Sequence, residues 1–271
     1  MLIRPLTPAI GSEVLDIDLA DAAEVTRHAD RLRALLAERQ VIFFREQRLS
    51  PDAQVFFSQV FGNVEPVSST FPSHPANPYV EMLVTRGKET GTDIWHADLT
   101  WQPRPPVAAC LYAVEVPEVG GDTMWASMTA AHDSLDEGLR RYLAGMTAVH
   151  HWEAPALVNN LKGKPDGDEQ YHAMRRRYPP VDQPVFLPHP ATGRRVVFVN
   201  SLYTTRINQM GHDDGAHMLS FLAGLARVPE WQVRFNWRKG SVAVWDNLAT
   251  QHYAVNDYYP SPRTMHRVSI R

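Results

Sequence analysis

A mainly β sandwich or barrel with flanking helices, α+β in the broad sense, is the fold class this sequence predicts, on three observations. Beyond residue 62 the apolar runs are short, among them VEMLV, VAACLYAVEV, RVVFVN, SVAVWD and HRVSI, and turn residues bound them. Prolines recur at 66, 72, 75, 78, 103, 105, 106 and 117, which leaves no room there for a long helix. Helical periodicity is confined to the residues before 62 and to one later segment, GHDDGAHMLSFLAGLARVPEW, with a helix predicted over 214–226.

The elements follow in order. Residues 21–40, DAAEVTRHADRLRALLAERQ, place Val25, Leu32, Leu35 and Leu36 near helical spacing among good helix formers. VIFF at 41–44 reads as a buried strand. LSPDAQVFFSQVFG reads as a second helix with Ser50 as N-cap and Pro51 at the first helical position. These make a helix-strand-helix buttress over about residues 1–62, ahead of a β core running from about 80 to 271. The polar, proline-rich stretch 153–190 is the long excursion from that core, and long excursions are often lids. No repeat or flexible linker divides the chain, so a single domain over 1–271 is expected.

Composition narrows the function classes. With 271 residues, 44% of them hydrophobic, the chain can bury a substantial core. A net charge of −3 gives no global reason to expect nucleic acid or an anionic membrane as partner. Cys110 is the lone cysteine, so no intramolecular disulfide forms, and the N-terminus MLIRPLTPAIG lacks a signal-type apolar region. No run approaches the roughly 18 apolar residues of a membrane span. A cytoplasmic protein is the expectation.

Four His-x-acid triplets occur: His28/Asp30, His96/Asp98, His151/Glu153 and His212/Asp214. Chance usage predicts about 1.3, so the motif alone decides little and geometry must sort the copies. On the first helix, positions i and i+2 lie about 200° apart, so His28 and Asp30 cannot meet on one ion. His212 and Asp214 sit in a polar GHDDG turn suited to a surface loop or helix cap. WHADLTW differs: its aromatic, β-branched and aliphatic neighbours suit an extended strand, in which His96 and Asp98 project from one face. A carboxylate and an imidazole suit Fe(II) when a second histidine completes a facial triad. His252, after the period-two strand SVAVWD, is a candidate; a histidine hydrogen-bonded at a strand end is the plainer reading of it alone. In the tail RTMHRVSIR, Arg263 and Arg267 face one way with Met265 between them, and two guanidinium groups on an apolar strand call for anions.

WHADLTW, EVPEVGGDTMWASM, HPATGRRVVFVNSLYTTRI, VWDNLATQHYAVNDY and RTMHRVSIR, in this order and preceded by IGSEVLDIDL, resemble the TauD/TfdA family of Fe(II)- and 2-oxoglutarate-dependent dioxygenases along essentially the whole chain. The resemblance implies a double-stranded β-helix, a jelly-roll or cupin-like core. It implies His96, Asp98 and His252 as iron ligands, and Thr123 and Arg263 as the grip on the distal carboxylate of 2-oxoglutarate. It also implies Arg267 as receiver of an anionic group of the prime substrate, with Leu99, Trp101 and Tyr203 lining the pocket. The implied chemistry consumes O2, turns 2-oxoglutarate into succinate and CO2, and hydroxylates a small acidic molecule, sometimes cleaving it. Where taurine enzymes grip the sulfonate and amine, this chain has approximately Val67 and Thr92, which points away from taurine toward a larger or less polar carboxylate, sulfonate or sulfate ester. The family's habit implies a homo-oligomer, dimer or tetramer. The rival class, a zinc hydrolase or ligand-binding β-barrel, keeps the triad but has no use for Thr123 and Arg263 as a 2-oxoglutarate clamp.

Overall fold

A computed structural model describes residues 1–67, 72–86, 93–163 and 165–271. The chain opens with an antiparallel pair, β1 (Leu2–Pro5) and β2 (Ser12–Leu15), followed by α1 (Ala22–Arg39), β3 (Val41–Phe44) and α2 (Pro51–Ser58). A hairpin thus precedes the helix, the strand and the second helix. Thr7 builds the turn, its hydroxyl donating to the Ile10 carbonyl while accepting from the Ile10 amide, and Gly11 takes φ +85°. The second helix ends at Ser58, short of the predicted FG, and the chain turns over 59–62.

Local chemistry accounts for both helices. Asp21 caps α1 by accepting from the amides of Ala23 and Glu24, and Ser50 caps α2 by accepting from Ala53. All four predicted residues of α1, Val25, Leu32, Leu35 and Leu36, are buried, each contributing roughly 1.5–3 kcal/mol. They and Val55 and Phe57 of α2 pack on one face of the large sheet, against Ile42, Phe44, Cys110, Val244 and Val268.

That sheet is completed by β4 (Ser73–His74), β5 (Asn77–Thr85), β6 (Ala108–Glu115) and two strands from the end of the chain. After β7 (Thr123–Ser127) come α3 (Met128–Asp133), α4 (Glu137–Leu143), β8 (Thr147–His150), α5 (Pro155–Lys162) and α6 (Gly167–Arg177). Then follow β9 (Val181–Pro184), β10 (Phe186–Pro188), β11 (Arg195–Val197), β12 (Thr204–Ile207) and α7 (His212–Gly224). The last four are β13 (Gln232–Phe235), β14 (Val242–Asp246), β15 (Thr250–Ala254) and β16 (Arg263–Ile270). The predicted helix over 214–226 is α7, starting two residues earlier and closing in a 3-10 turn at Leu225–Arg227.

The large sheet has the order β1-β2-β3-β14-β6-β16-β5-β4, and β13-β7-β15 forms the facing sheet. Together they are a double-stranded β-helix with helices outside it, the predicted fold class. Between the sheets lies a second core of Phe43, Leu111, Trp125, Phe235, Trp245 and Met265, in which Phe43 stacks on Phe235 at 4.1 Å between ring centroids. VIFF is thus apolar throughout because Ile42 and Phe44 face the helices while Val41 and Phe43 face the barrel interior. Of the segment 153–190, α5 and α6 form the excursion; β9 and β10 return to pair with β8 and β11.

Candidate metal centre

The centre is assembled from β15 and the segment before β6. His252 lies in β15, paired with Trp125 of β7. His96 forms an isolated bridge with it: the amide of each donates to the carbonyl of the other, at 3.1 and 2.7 Å. The predicted strand through WHADLTW goes no further than this bridge. After Ala97 the chain turns, with Leu99 at φ +53° and the Gln102 amide donating to the Leu99 carbonyl. Asn247 enforces the turn, accepting from the Asp98 amide at 2.7 Å and donating to the carbonyls of Asp98 and Pro106. His96 and Asp98 converge all the same: Oδ1 of Asp98 lies 3.7 Å from Nε2 of His96 and 3.9 Å from Nε2 of His252.

The donor set fits a divalent cation. One ligand atom from each residue can be chosen so that all lie within 4.8 Å of one another, and all three side chains are buried. Nδ1 of His96 sits 2.7 Å from the Ile94 carbonyl, which can only accept, so Nδ1 carries the proton and the Nε2 lone pair faces the cluster. Burial holds His96 and His252 below the ordinary imidazole range, His252 at about 3, so both are neutral at pH 7. Burial opposes the charge on Asp98, but Arg267 and the two histidines together hold its carboxyl below its usual value. Two neutral imidazoles around an ionised carboxylate form a mixture of donors suited to Fe(II) or Zn(II).

The sequence matches the family described as "Taurine catabolism dioxygenase TauD, TfdA family" over residues 2–269. The chain belongs to that family. It is 34% identical to an alpha-ketoglutarate-dependent sulfate ester dioxygenase of Pseudomonas putida, over 99% of this chain and 88% of that protein. It is 30% identical to an alkylsulfatase of Acinetobacter baylyi, covering 99% and 84% of the two chains. Among solved structures, a taurine dioxygenase from Burkholderia xenovorans superimposes with a TM-score of 0.82 at 30% identity, covering 99% of this chain and 88% of that one.

The other residues that the family pattern singles out are found in different states. Thr123 opens β7, buried, its hydroxyl accepting from the Trp237 indole at 2.9 Å. Arg263 opens β16 and is buried, yet no carboxylate among the described residues pairs with it and its Nε has no partner. Burial accordingly pulls its pKa down, only partly offset by Tyr258. Arg267 is already paired at two of its three nitrogens. Its Nε donates to Glu81 at 2.6 Å and its Nη1 to both oxygens of Asp98 at 3.2 Å. The anion that two interior arginines call for is thus supplied from within for one of them.

Trp101 and Tyr203 are buried and Leu99 half-buried, and all three join a cluster with Trp152, Leu161 and Leu202 that reaches α5 and α6. Tyr203 also meets His96 edge-on, with ring centroids 6.3 Å apart, and burial drives its phenol pKa up. Val67 is half-buried, its amide donating to the Pro78 carbonyl at 2.8 Å at the start of β5. Thr92 lies outside the described residues. His28 and Asp30 are apart as predicted, Asp30 pairing with Arg33, and His212 sits exposed at the start of α7.

Sequence reasoning passed over three supporting groups. Asn247 sets the turn; Glu81 grips Arg267; and His189 donates to Asp246 at 2.9 Å, joining the HPATG loop to the end of β14. The lone acid in VEMLV was the available signal for Glu81, since a carboxylate on an inward-facing strand position needs a cation. Behind the turn, Thr100 is held by His150 and Asn200, at 2.9 and 3.1 Å, and the Gln183 amide donates to the carbonyls of Thr100 and Gln102.

His150 gives this support a pH dependence. It is fully buried, and burial lowers its pKa to about 4. The unfolded chain, with a histidine near 6.5, therefore takes up the proton first, and stability falls as pH drops from about 6.5 toward 4, by on the order of 3 kcal/mol for the whole step. Urea unfolding of the metal-free protein between pH 7 and 4.5 should show that decline, and His150→Gln should reduce its slope while the contribution of the other histidines remains. An unchanged slope would mean that His150 accepts the proton without loss.

Proposed function

We propose that the chain binds Fe(II) through His96, Asp98 and His252 and 2-oxoglutarate through Arg263 and Thr123, and hydroxylates a small acidic substrate of the sulfate ester or sulfonate class. The observation that carries this reading is the pairing of a buried, charge-ready triad with a buried arginine that has no carboxylate partner among the described residues. Iron in such a site supplies the O2-dependent oxidation that family members couple to conversion of 2-oxoglutarate into succinate and CO2. A hydrolytic zinc centre has no need of the second feature, and family membership weighs against it.

The remaining work falls to this chain's own side chains. Arg263 meets the distal carboxylate with a charge-assisted fork, while the Thr123 hydroxyl, already accepting from Trp237, has its own proton to donate to the same oxygens. Arg267 holds Asp98 in its ionised form and in one orientation. Trp101, Leu99 and Tyr203 exclude water and give an apolar wall suited to an alkyl or aryl chain. Hydroxylation at the carbon bearing a sulfate ester oxygen yields a hemiacetal-type half ester; its hydroxyl proton leaves, the carbon-to-oxygen bond to sulfate breaks, and an aldehyde and inorganic sulfate result. One hydroxylation thus desulfates.

The same proposal takes the protein as a single catalytic domain, cytoplasmic, and a homo-oligomer of two or four chains. Among the described residues no helix is long and apolar enough to cross a membrane. The deciding experiment is anaerobic addition of Fe(II) and then 2-oxoglutarate to metal-free protein, followed by visible absorption. The charge-transfer band of the chelate is expected in wild type and absent in His96→Ala. Iron binding without a band would leave only a metal protein.

A further inference from the structure

Glu81 is buried in β5 directly across from Arg267 of β16. Its neighbour Val80 faces the helices, whereas Leu83, on the same side of the strand as Glu81, packs into the barrel interior with Met265. The carboxylate therefore points inward, toward the site. A guanidinium carries five N–H donors on three nitrogens. Here Nε is committed to Glu81 and Nη1 to Asp98, and Nη2 has no partner among the described residues. The side chain is 15% exposed and Nη2 is not among the fully buried atoms left without a partner, so that last edge is reachable.

Charge gives the arrangement a meaning beyond packing, and the meaning rests on the function proposed above. Arg267 and Glu81 cancel. Asp98 takes one charge of a divalent metal, and Arg263 takes one of the two negative charges of 2-oxoglutarate, so the loaded site is neutral before the prime substrate enters. Without Glu81 it would carry one positive charge. An anion reaching Nη2 gains a hydrogen-bonding edge but little net attraction, and each added negative charge on its head group is repelled by Glu81 across a few ångströms of low-dielectric interior.

We propose that Glu81 is a specificity-determining residue: by occupying the Nε edge of Arg267 and cancelling its charge, it makes the pocket accept a singly charged head group at Nη2 and disfavour a doubly charged one of the same shape. Specificity of this kind works through the repulsive element as much as the attractive one.

Hexyl sulfate and hexyl phosphate test this, since they share shape and tail, and at about pH 8 the phosphate carries close to two charges. Each is titrated anaerobically into the Fe(II)·2-oxoglutarate complex, and binding is read from the shift of the charge-transfer band without turnover. Wild type is expected to bind the sulfate about tenfold more tightly than the phosphate. Glu81→Gln, which keeps an acceptor for Nε but not the charge, is expected to bring the two affinities within about twofold, with the 2-oxoglutarate band unchanged. A wild-type ratio in Glu81→Gln, with a normal band, overturns the proposal while leaving the catalytic reading intact. No band in wild type overturns both. A purely structural Glu81 would lower the melting temperature and leave the ratio alone. Should Glu81→Gln fail to fold, Glu81→Ser, which also removes the charge, is expected to narrow the ratio in the same way; an unchanged ratio there also overturns the proposal.

Discussion

Asp98→Ala is expected to leave the protein with less than about a tenth of its iron and no measurable turnover. The carboxylate is the sole anion of the triad, so its loss removes the charge that draws a dication into a buried site, which neutral imidazoles cannot replace. It also removes one of the two anions facing Arg267. Glu81 remains, so the variant is expected to fold with a loss of roughly 1–3 kcal/mol rather than the roughly 3–5 of a guanidinium stripped of every partner. Colorimetric iron after gel filtration, paired with a urea melt, separates the two effects. Stoichiometric iron with retained activity would place the metal elsewhere.

Arg263→Met should move two measurements in opposite directions. KM for 2-oxoglutarate is expected to rise about 10- to 100-fold, because a charge-assisted hydrogen bond to a carboxylate contributes on the order of 1.5–3 kcal/mol. The metal-free, cosubstrate-free protein is expected to become more stable by about 1–3 kcal/mol, because a buried cation without a carboxylate partner gives way to an apolar side chain of similar length. Steady-state kinetics and thermal melts check both, and 2-oxoglutarate should raise the melting temperature of wild type only. If the substitution destabilises the empty protein, Arg263 has an internal partner and the clamp must be sought elsewhere. KM for the prime substrate should change much less than KM for 2-oxoglutarate.

What the sequence reveals is what near neighbours decide. The period of α1, the two-faced strand VIFF and the Ser50-Pro51 start of α2 are all set within a few residues, and the structure agrees with each. The centre is only half of this kind. An extended chain would put His96 and Asp98 on one face, and they do converge, yet the chain between Asp98 and Gln102 turns because Asn247 reaches it from 149 residues away. No local pattern encodes that turn. Leu99 in the left-handed region is among the least foreseeable, since a branched aliphatic disfavours that conformation and only the network of Asn247, His150 and Gln183 holds it. Arg267 shows the same limit from the other side: its inward facing follows from strand alternation, but its partner Glu81 lies on a strand whose pairing only the assembled sheet reveals.

The bridge between His96 and His252 joins two segments separated by more than half of the chain, and both residues that make it are the ones that would grip the iron. Metal bound in that seam would act as a removable clasp, closing a very long loop much as a disulfide would, but with a fastening that depends on iron supply. Without iron the seam keeps its two backbone hydrogen bonds and the contacts of Asn247, Arg267, His150 and Gln183 to the turn from 98 to 102, but loses the stabilisation that binding adds to the folded state. Iron status would then govern how long the protein survives, as well as whether it works.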